Sequence, residues 1–349
     1  MSNTIVSFQD VSFYYGPPEG DAPGTAGPDG TLDAPRAVER PEEVVEVFSG
    51  LTIDLPAGVI SLVGENGTGK STMLLLAGAR LFPASGRVRL FDRDTADFAR
   101  AAVDPELEME RNRYVSFVYQ NMEFETEEPV GELMEFVFEN GYHEEGSAQG
   151  LLEDAQRELQ LGGVLHKRTQ ELSKGELQRT IVGFSVLYGS KLVILDEPVF
   201  AVEPGRQEQT FEFLTRFAAD YGTSVYYSAH NLELTRKYSD HMLLFSKGGG
   251  MQLGATDELF SRETIEAAYK VPFDMLYRKD YLHRHMLRSA HPGPGDEGPG
   301  DSEGGDGDTW RPEGDDARPG DGAGPGDSAR PGDGDTGGGH TGGGLDENA

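Results

Sequence analysis

Two short groups of residues have the types and spacing needed to bind and attack a phosphorylated substrate. The first is the run Gly64-Glu65-Asn66-Gly67-Thr68-Gly69-Lys70-Ser71, in which glycines lead to a lysine and a hydroxyl. Glycines at this spacing let backbone N–H groups face phosphate oxygens, and the lysine reaches the β- and γ-phosphates. We therefore predict a phosphate-binding loop in which Lys70 contacts phosphate and Ser71 holds Mg²⁺.

The second group is a pair of carboxylates, Asp196 and Glu197, which follow the apolar run Lys191 to Leu195. A strand that ends in carboxylates presents them at the carboxyl edge of a parallel sheet, where ligands bind. We predict that Asp196 is a Mg²⁺ ligand and that Glu197 orients or deprotonates an attacking water. Many strands end in Asp-Glu, so this prediction depends on the glycine loop being present in the same chain.

The elements around the glycine loop are those that a phosphate site requires. Val59 to Val63 is a short β-branched run that predicts a buried strand, and Thr72 to Ala79 predicts a helix. A helix that begins at the loop adds a partial positive charge to the backbone donors. Strand, loop and helix therefore occur in the order that phosphate binding needs.

Further motifs occur in the order that ATP-binding cassette (ABC) ATPases have, and the chain resembles this family from about Ile5 to Leu276. The run Leu172-Ser173-Lys174-Gly175-Glu176 resembles the family signature LSGGQ. Gln120 is similar in position to the Q-loop glutamine, His230 to the switch histidine, and Tyr15 to the aromatic residue that stacks on adenine. Taken alone, each of these residues is more often an ordinary surface or core side chain.

The resemblance implies a set of site residues in this chain. As catalytic residues it implies Glu197, His230 and Gln120. The metal ligands that it implies are Ser71, Gln120 and Asp196. The residues that it implies for binding ATP are Tyr15, Gly64, Asn66, Gly67, Gly69, Lys70, Ser71, Thr72, Ser173 and Gly175.

The resemblance also implies the fold. We expect an α/β P-loop NTPase of the ABC type, with a mixed sheet core, a helical subdomain and an N-terminal antiparallel β portion. The ATPase domain would span residues 1–290 and the helical subdomain about 121–171, where the run Leu151 to Leu161 is amphipathic. Lys174 and Glu176 depart from the signature, and Glu203 replaces the aspartate of the D-loop.

Charge and composition divide the chain. It has 349 residues and a formal net charge of −31, and clustered basic residues are what nucleic-acid binding needs, so we expect no nucleic-acid partner. Residues 291–349 are rich in Gly, Pro and Asp, with 15 acidic residues against 3 arginines, and predict a disordered tail. Residues 17–46 predict a low-complexity acidic insertion. The absence of cysteine excludes disulfides and thiolate chemistry.

With one glycine loop and one signature, an ABC site in this chain would need a second protomer, either another copy or a paralogue. Because no apolar run is long enough to span a bilayer, the resemblance implies separately encoded permease subunits and a peripheral position on the cytoplasmic face of the membrane. The stretch from His230 to Phe245 resembles importer ATPases. The runs Gly254 to Phe260 and Ile265 to Pro272 resemble the C-terminal edge of the importers of siderophores, haem and cobalamin. The alternatives are a soluble single-cassette ATPase without a transport role and a non-catalytic nucleotide-binding regulator, against which Glu197 argues.

Overall fold

The computed structural model describes residues 4–16, 45–143 and 148–276. In chain order, the strands are β1 (Thr4–Tyr15), β2 (Val45–Pro56), β3 (Val59–Val63), β4 (Ser85–Leu90), β5 (Arg93–Asp94), β6 (Val115–Val118), β7 (Leu192–Leu195), β8 (Ser224–Ala229), β9 (His241–Phe245) and β10 (Met251–Ala255). The α-helices are α1 (Lys70–Ala77), α2 (Pro105–Tyr114), α3 (Val130–Glu139), α4 (Leu151–Glu158), α5 (Lys174–Leu187), α6 (Pro204–Tyr221), α7 (Leu232–Tyr238), α8 (Thr256–Leu259) and α9 (Arg262–Tyr269).

The strands in this part of the chain form two sheets. One is antiparallel, with the order β2-β1-β4-β5. The other has the order β10-β9-β3-β8-β7-β6, in which β10 pairs antiparallel with β9 and the remaining neighbours pair in parallel. This arrangement confirms the predicted fold class: a mixed sheet core and an antiparallel N-terminal portion.

The core sheet is covered on both faces, which is why its strands are apolar at successive positions. On β7, Val193 and Leu195 pack with residues of α3 to α6, whereas Leu192 and Ile194 pack with the N-terminal sheet and α1. Both clusters are closed to solvent, since all of β3, β7 and β8 is buried. A sheet held on both faces gives its strand ends fixed positions, and the candidate site is built on those ends.

Element boundaries differ from prediction by a few residues for local reasons. The helix expected over Thr72 to Ala79 runs from Lys70 to Ala77, because Gly78 caps it and Ala79 takes a left-handed φ of +52°. Two helices, α3 and α4, lie in the segment predicted as the helical subdomain. The predicted tail 291–349 and residues 17–44 of the predicted insertion lie outside the described residues, while Val45 and Glu46 belong to β2.

Candidate active site

Four neighbouring parallel strands place the predicted functional residues at one edge of the core sheet. The glycine loop follows β3, His230 follows β8, Asp196 follows β7, and Gln120 lies two residues beyond the end of β6. These strands are adjacent in the order β3-β8-β7-β6, and parallel strands have their carboxyl ends at the same edge. Gln120 and Glu197, which are 77 positions apart in the chain, therefore meet at this edge.

The glycine loop requires glycine at specific positions. Gly64 has a φ of +154°, and a Cβ there would lie 2.8 Å from the carbonyl oxygen of Phe245. Gly69 caps α1 in the left-handed region, with a φ of +99°. The loop closes over Lys70, whose Nζ donates hydrogen bonds to the carbonyl oxygens of Gly64 at 2.8 Å and Glu65 at 2.9 Å.

Lys70 is a buried cation that faces two carboxylates. Lys70 is only 6% exposed, and this burial lowers the pKa of its ammonium group. Glu197 and Asp196 act in the opposite direction on that pKa through their negative charges. The lysine of the loop and the carboxylates at the end of β7 are therefore close enough to be electrostatically coupled, as a shared phosphate site requires.

The Glu197 carboxylate is held at both oxygens. His230 Nε2 lies 2.7 Å from Oε1, and Gln120 Nε2 donates to Oε2 at 2.8 Å. The hydrogen bond to His230 holds the pKa of Glu197 below its ordinary value, and Lys70 and Gln120 act in the same direction against partial burial. The three side chains predicted as catalytic thus form one cluster around an ionised carboxylate.

Tyr15 and Thr72 meet at the other side of the loop. The Tyr15 hydroxyl lies 3.2 Å from Thr72 Oγ1 on the first turn of α1, and the Tyr15 ring contacts Phe13 edge-on at 5.0 Å. The Tyr15 side chain stays 44% exposed. An aromatic ring that is half exposed beside a phosphate loop offers a surface on which a base can stack.

The signature residues lie at the start of α5. Ser173 caps this helix: its Oγ accepts from Glu176 N at 3.3 Å, and Glu176 Oε2 accepts from Ser173 N at 2.8 Å. Glu176 therefore makes a capping box, which needs only an acceptor at this position. Lys174 Nζ lies 3.7 Å from Glu123 Oε1, and the Lys174 side chain is 81% exposed.

A cavity of about 840 Å³ opens at the strand ends. The predicted site residues on its wall are Gly64, Asn66, Gln120, Glu197 and His230. Ser173 and Gly175 are not among the described residues that line this cavity. The cavity therefore joins the start of the loop to the catalytic cluster; the predicted site residues that likewise do not line it are Tyr15, Gly67, Gly69, Lys70, Ser71, Thr72 and Asp196.

Residues 48–200 match the family model described as ABC transporter. This chain carries an ABC ATPase domain. The match begins in β2 and ends just beyond Glu197, so it contains the glycine loop, Gln120, the signature and the carboxylate pair.

Several relatives of this chain are named as import ATP-binding proteins. The chain is 29% identical over 238 residues to the putative HMP/thiamine import ATP-binding protein of Bacillus subtilis, covering 66% of this chain and 40% of the relative. It is 28% identical over 225 residues to the nickel import ATP-binding protein of Rhodobacter capsulatus, covering 63% of this chain and 88% of the relative. The chain thus spans two-fifths of the length of the first relative and most of the second.

Solved structures share the fold of the ABC domain. A dimeric ATP-binding cassette in a post-hydrolysis state with ADP and Pi has a TM-score of 0.56 at 18% identity, covering 72% of this chain and 99% of that one. The cbiO1 protein of Clostridium perfringens, part of an ABC transporter complex, has a TM-score of 0.55 at 18% identity, covering 82% and 99%. At this identity the likeness establishes the fold.

The oxygen donors of this ABC domain fit Mg²⁺. Ser71 offers a hydroxyl, Gln120 an amide oxygen and Asp196 a carboxylate, and Mg²⁺ prefers oxygen ligands. Within the described ranges, no group of three or more His, Cys, Asp or Glu residues could hold a metal by itself. Such a donor set suits an ion whose remaining ligands are phosphate oxygens and water.

One residue of the site has no counterpart in the sequence prediction. The Ser228 hydroxyl donates to Asp196 Oδ1 at 2.6 Å and accepts from the backbone N–H of Glu197 at 2.9 Å. Ser228 thereby fixes the predicted metal ligand and the predicted base together. Its place two residues before His230 on β8 is the only signal in the sequence, and a serine in a strand is not by itself informative.

Proposed function

We propose that this chain binds and hydrolyses ATP and thereby powers a membrane ABC transporter of the import type. The observation that carries the proposal is the Glu197 carboxylate, held between Gln120 and His230 beside the glycine loop. A strand-end carboxylate kept ionised next to a phosphate loop has the position and charge of a general base.

Each group of residues in the site has its own role in hydrolysis. Lys70 and the N–H groups of the glycine loop hold the β- and γ-phosphates, and Tyr15 stacks on adenine. Glu197 accepts a proton from the attacking water, and Gln120 and His230 fix the direction of its carboxylate. Ser71, Gln120 and Asp196 would hold Mg²⁺, which would supply positive charge to the phosphate oxygens.

The signature implies that two chains share each nucleotide. Ser173 and Gly175 lie at the N-terminus of a 14-residue helix, where backbone N–H groups and the helix dipole favour an anion. We infer that they face the nucleotide of a second protomer, a copy or a paralogue. ATP then closes the dimer, and hydrolysis releases it.

The link to membrane transport rests on the relatives, whose names describe import of nickel, molybdenum and HMP/thiamine. No helix in the described residues is long and apolar enough to cross a bilayer. We therefore infer permease subunits encoded separately and a position of this chain on the cytoplasmic face of the membrane.

Two measurements test the proposal. The purified chain should hydrolyse ATP in a Mg²⁺-dependent manner, and a chain that does not turn over ATP would contradict the catalytic assignment. In its source cell, Glu197→Gln should abolish uptake of one substrate, measured with labelled nickel, molybdate and thiamine precursor. ATP turnover in a chain that never co-purifies with an integral membrane protein would favour the soluble, non-transport alternative.

A further inference from the structure

Two glutamines from different helices make hydrogen bonds to the backbone of the turn that follows β7, residues 197–202. Gln178, on α5, donates from Nε2 to the carbonyl oxygen of Glu197 at 2.9 Å and accepts at Oε1 from Ala201 N at 2.9 Å. Gln207, on α6, donates from Nε2 to the carbonyl oxygens of Val199 at 3.1 Å and Val202 at 2.7 Å. Only the first of these glutamines bonds to Glu197 itself.

The Glu197 backbone needs such support. Its φ is +52°, in the left-handed region that costs a side chain other than glycine about 1 kcal/mol or more. Ser228 Oγ accepts from the Glu197 N–H, and Gln178 donates to the Glu197 carbonyl. The two peptide groups that flank the Glu197 side chain are therefore each held by a side chain, and together they set the direction in which the carboxylate leaves the backbone.

Gln178 also connects this turn to the start of α5. Gln178 lies on the same helix whose N-terminus carries Ser173 and Gly175. At Gly175 the helix touches the turn a second time, because a Cβ there would lie 2.8 Å from the carbonyl oxygen of Ala201. A displacement of the first turn of α5 therefore reaches the Glu197 peptide through Gln178 and through Ala201.

We propose that Gln178 is a positioning residue for hydrolysis: it fixes the Glu197 peptide and ties the direction of the catalytic carboxylate to the signature end of α5. This inference rests on the proposed function, since it requires that Glu197 be the base. It extends that function by assigning a role to a side chain that touches neither the phosphate loop nor the Glu197 carboxylate.

The test compares ATP turnover of full-length variants. Gln178→Ala should lower kcat at least about tenfold, because small misplacements of a catalytic group are costly, while KM for ATP changes less than about threefold. Gln178→Glu keeps an acceptor for Ala201 N but loses the donor to Glu197, so its kcat should fall as far. Gln207→Ala, which loosens the same turn without touching Glu197, should keep kcat within about twofold of the wild type.

Two further readouts separate positioning from structural support. In a Glu197→Gln background, Gln178→Ala should leave the ATP-bound dimer intact, whereas a merely structural role would weaken it. In the active chain, Gln178→Ala and Gly175→Ala should be non-additive in kcat, because both act through the same turn.

The proposal is overturned if Gln178→Glu retains wild-type kcat, or if Gln178→Ala and Gln207→Ala lower kcat equally. Failure of the proposed function itself would give a different result. If the wild type does not hydrolyse ATP, or if Glu197→Gln is as active as the wild type, Glu197 is not the base and the assignment of the active site itself fails.

Discussion

The glycine-loop region and the signature region of this ABC domain are built in opposite ways. Lys70 is buried, bonded to two loop carbonyls and coupled to two carboxylates, and Glu197 is held at both oxygens. At the start of α5, Ser173 and Lys174 are exposed, and the contacts of Ser173 are those of a helix cap. One region is fixed by the strands of its own core sheet, and the other is presented outward on a helix end.

The difference indicates which region can act alone. Groups that are prearranged by burial and by several hydrogen bonds need no reorganisation to bind phosphate. A helix end on the surface supplies donors, but it needs a ligand brought from outside. We therefore expect changes in the loop region to affect binding and chemistry strongly, and changes at the exposed signature residues Ser173 and Lys174 to act through the proposed second protomer.

The largest effect should come from Glu197→Gln. Loss of the base should lower ATP turnover by about 100-fold or more, while nucleotide binding persists because the loop is untouched. The variant should also accumulate an ATP-bound dimer, measured by light scattering. Glu208→Gln, which changes an exposed glutamate paired with Lys237, is the matched control and should behave as the wild type. Wild-type turnover in Glu197→Gln would show that another group activates the water.

A smaller effect, on binding itself, should follow from Lys70→Ala. Removing a buried cation that contacts phosphate should weaken ATP binding by about 10- to 100-fold, measured by calorimetry. Lys247→Ala is the control, because Lys247 reaches the same loop from outside through Glu65 at 3.1 Å and is 60% exposed. Equal losses in the two variants would mean that general positive charge, and not the buried geometry, holds the phosphates.

Gly175→Ala tests the close approach between the signature and the turn after Glu197. The added Cβ would lie 2.8 Å from Ala201 O, so the backbone must shift, and overpacking of this kind costs about 1–3 kcal/mol. We expect turnover to fall by about tenfold with ATP binding to the single chain unchanged. Gly205→Ala is the control, since nothing lies within 4 Å of a Cβ at that position. Unchanged turnover in Gly175→Ala would contradict a tight contact.

Local sequence predicted the parts of the site that local backbone conformation creates. The loop from Gly64 to Ser71 and strand β3 are consecutive, and their glycines and β-branched residues determine their conformation directly. In the cluster of Gln120, Glu197 and His230, the strand-end pattern predicted Glu197, but the other two residues could be named only through resemblance to a family. Its members come from three different strand ends, which no local pattern connects.

The positioning residues could not be predicted in either way. Ser228 is 31 residues from Glu197 and Gln178 is 19 residues from it, and each acts through a hydrogen bond to backbone. Serine in a strand and glutamine in a helix are too common to indicate such contacts. The left-handed φ of Glu197 could not be predicted from the sequence either, because glutamate has no special preference for that region.

The smallest effect should come from Lys174, the least ordinary residue of the signature. Its side chain is 81% exposed and pairs with Glu123, which is 64% exposed, and pairs between exposed side chains contribute little. In the proposed dimer its long stem can still carry the charge away from the nucleotide. Lys174→Gly should therefore change turnover by less than about threefold. Lys174→Ala, with its better helix propensity, shows whether any change comes from the helix or from the charge.

The competing hypothesis is that Lys174 contacts the phosphate or a carboxylate of the second protomer and strengthens the closed dimer. It predicts that Lys174→Gly weakens the dimer formed by Glu197→Gln, and that the loss is large at low salt and fades at high salt, because screening weakens a charged contact. Glu123→Gln separates the two hypotheses further: it breaks the pair within the chain and leaves Lys174 charged. If the dimer is weakened about tenfold by Lys174→Gly at low salt but not by Glu123→Gln, the lysine acts across the interface, and the exposed region contributes a charge as well as a helix end.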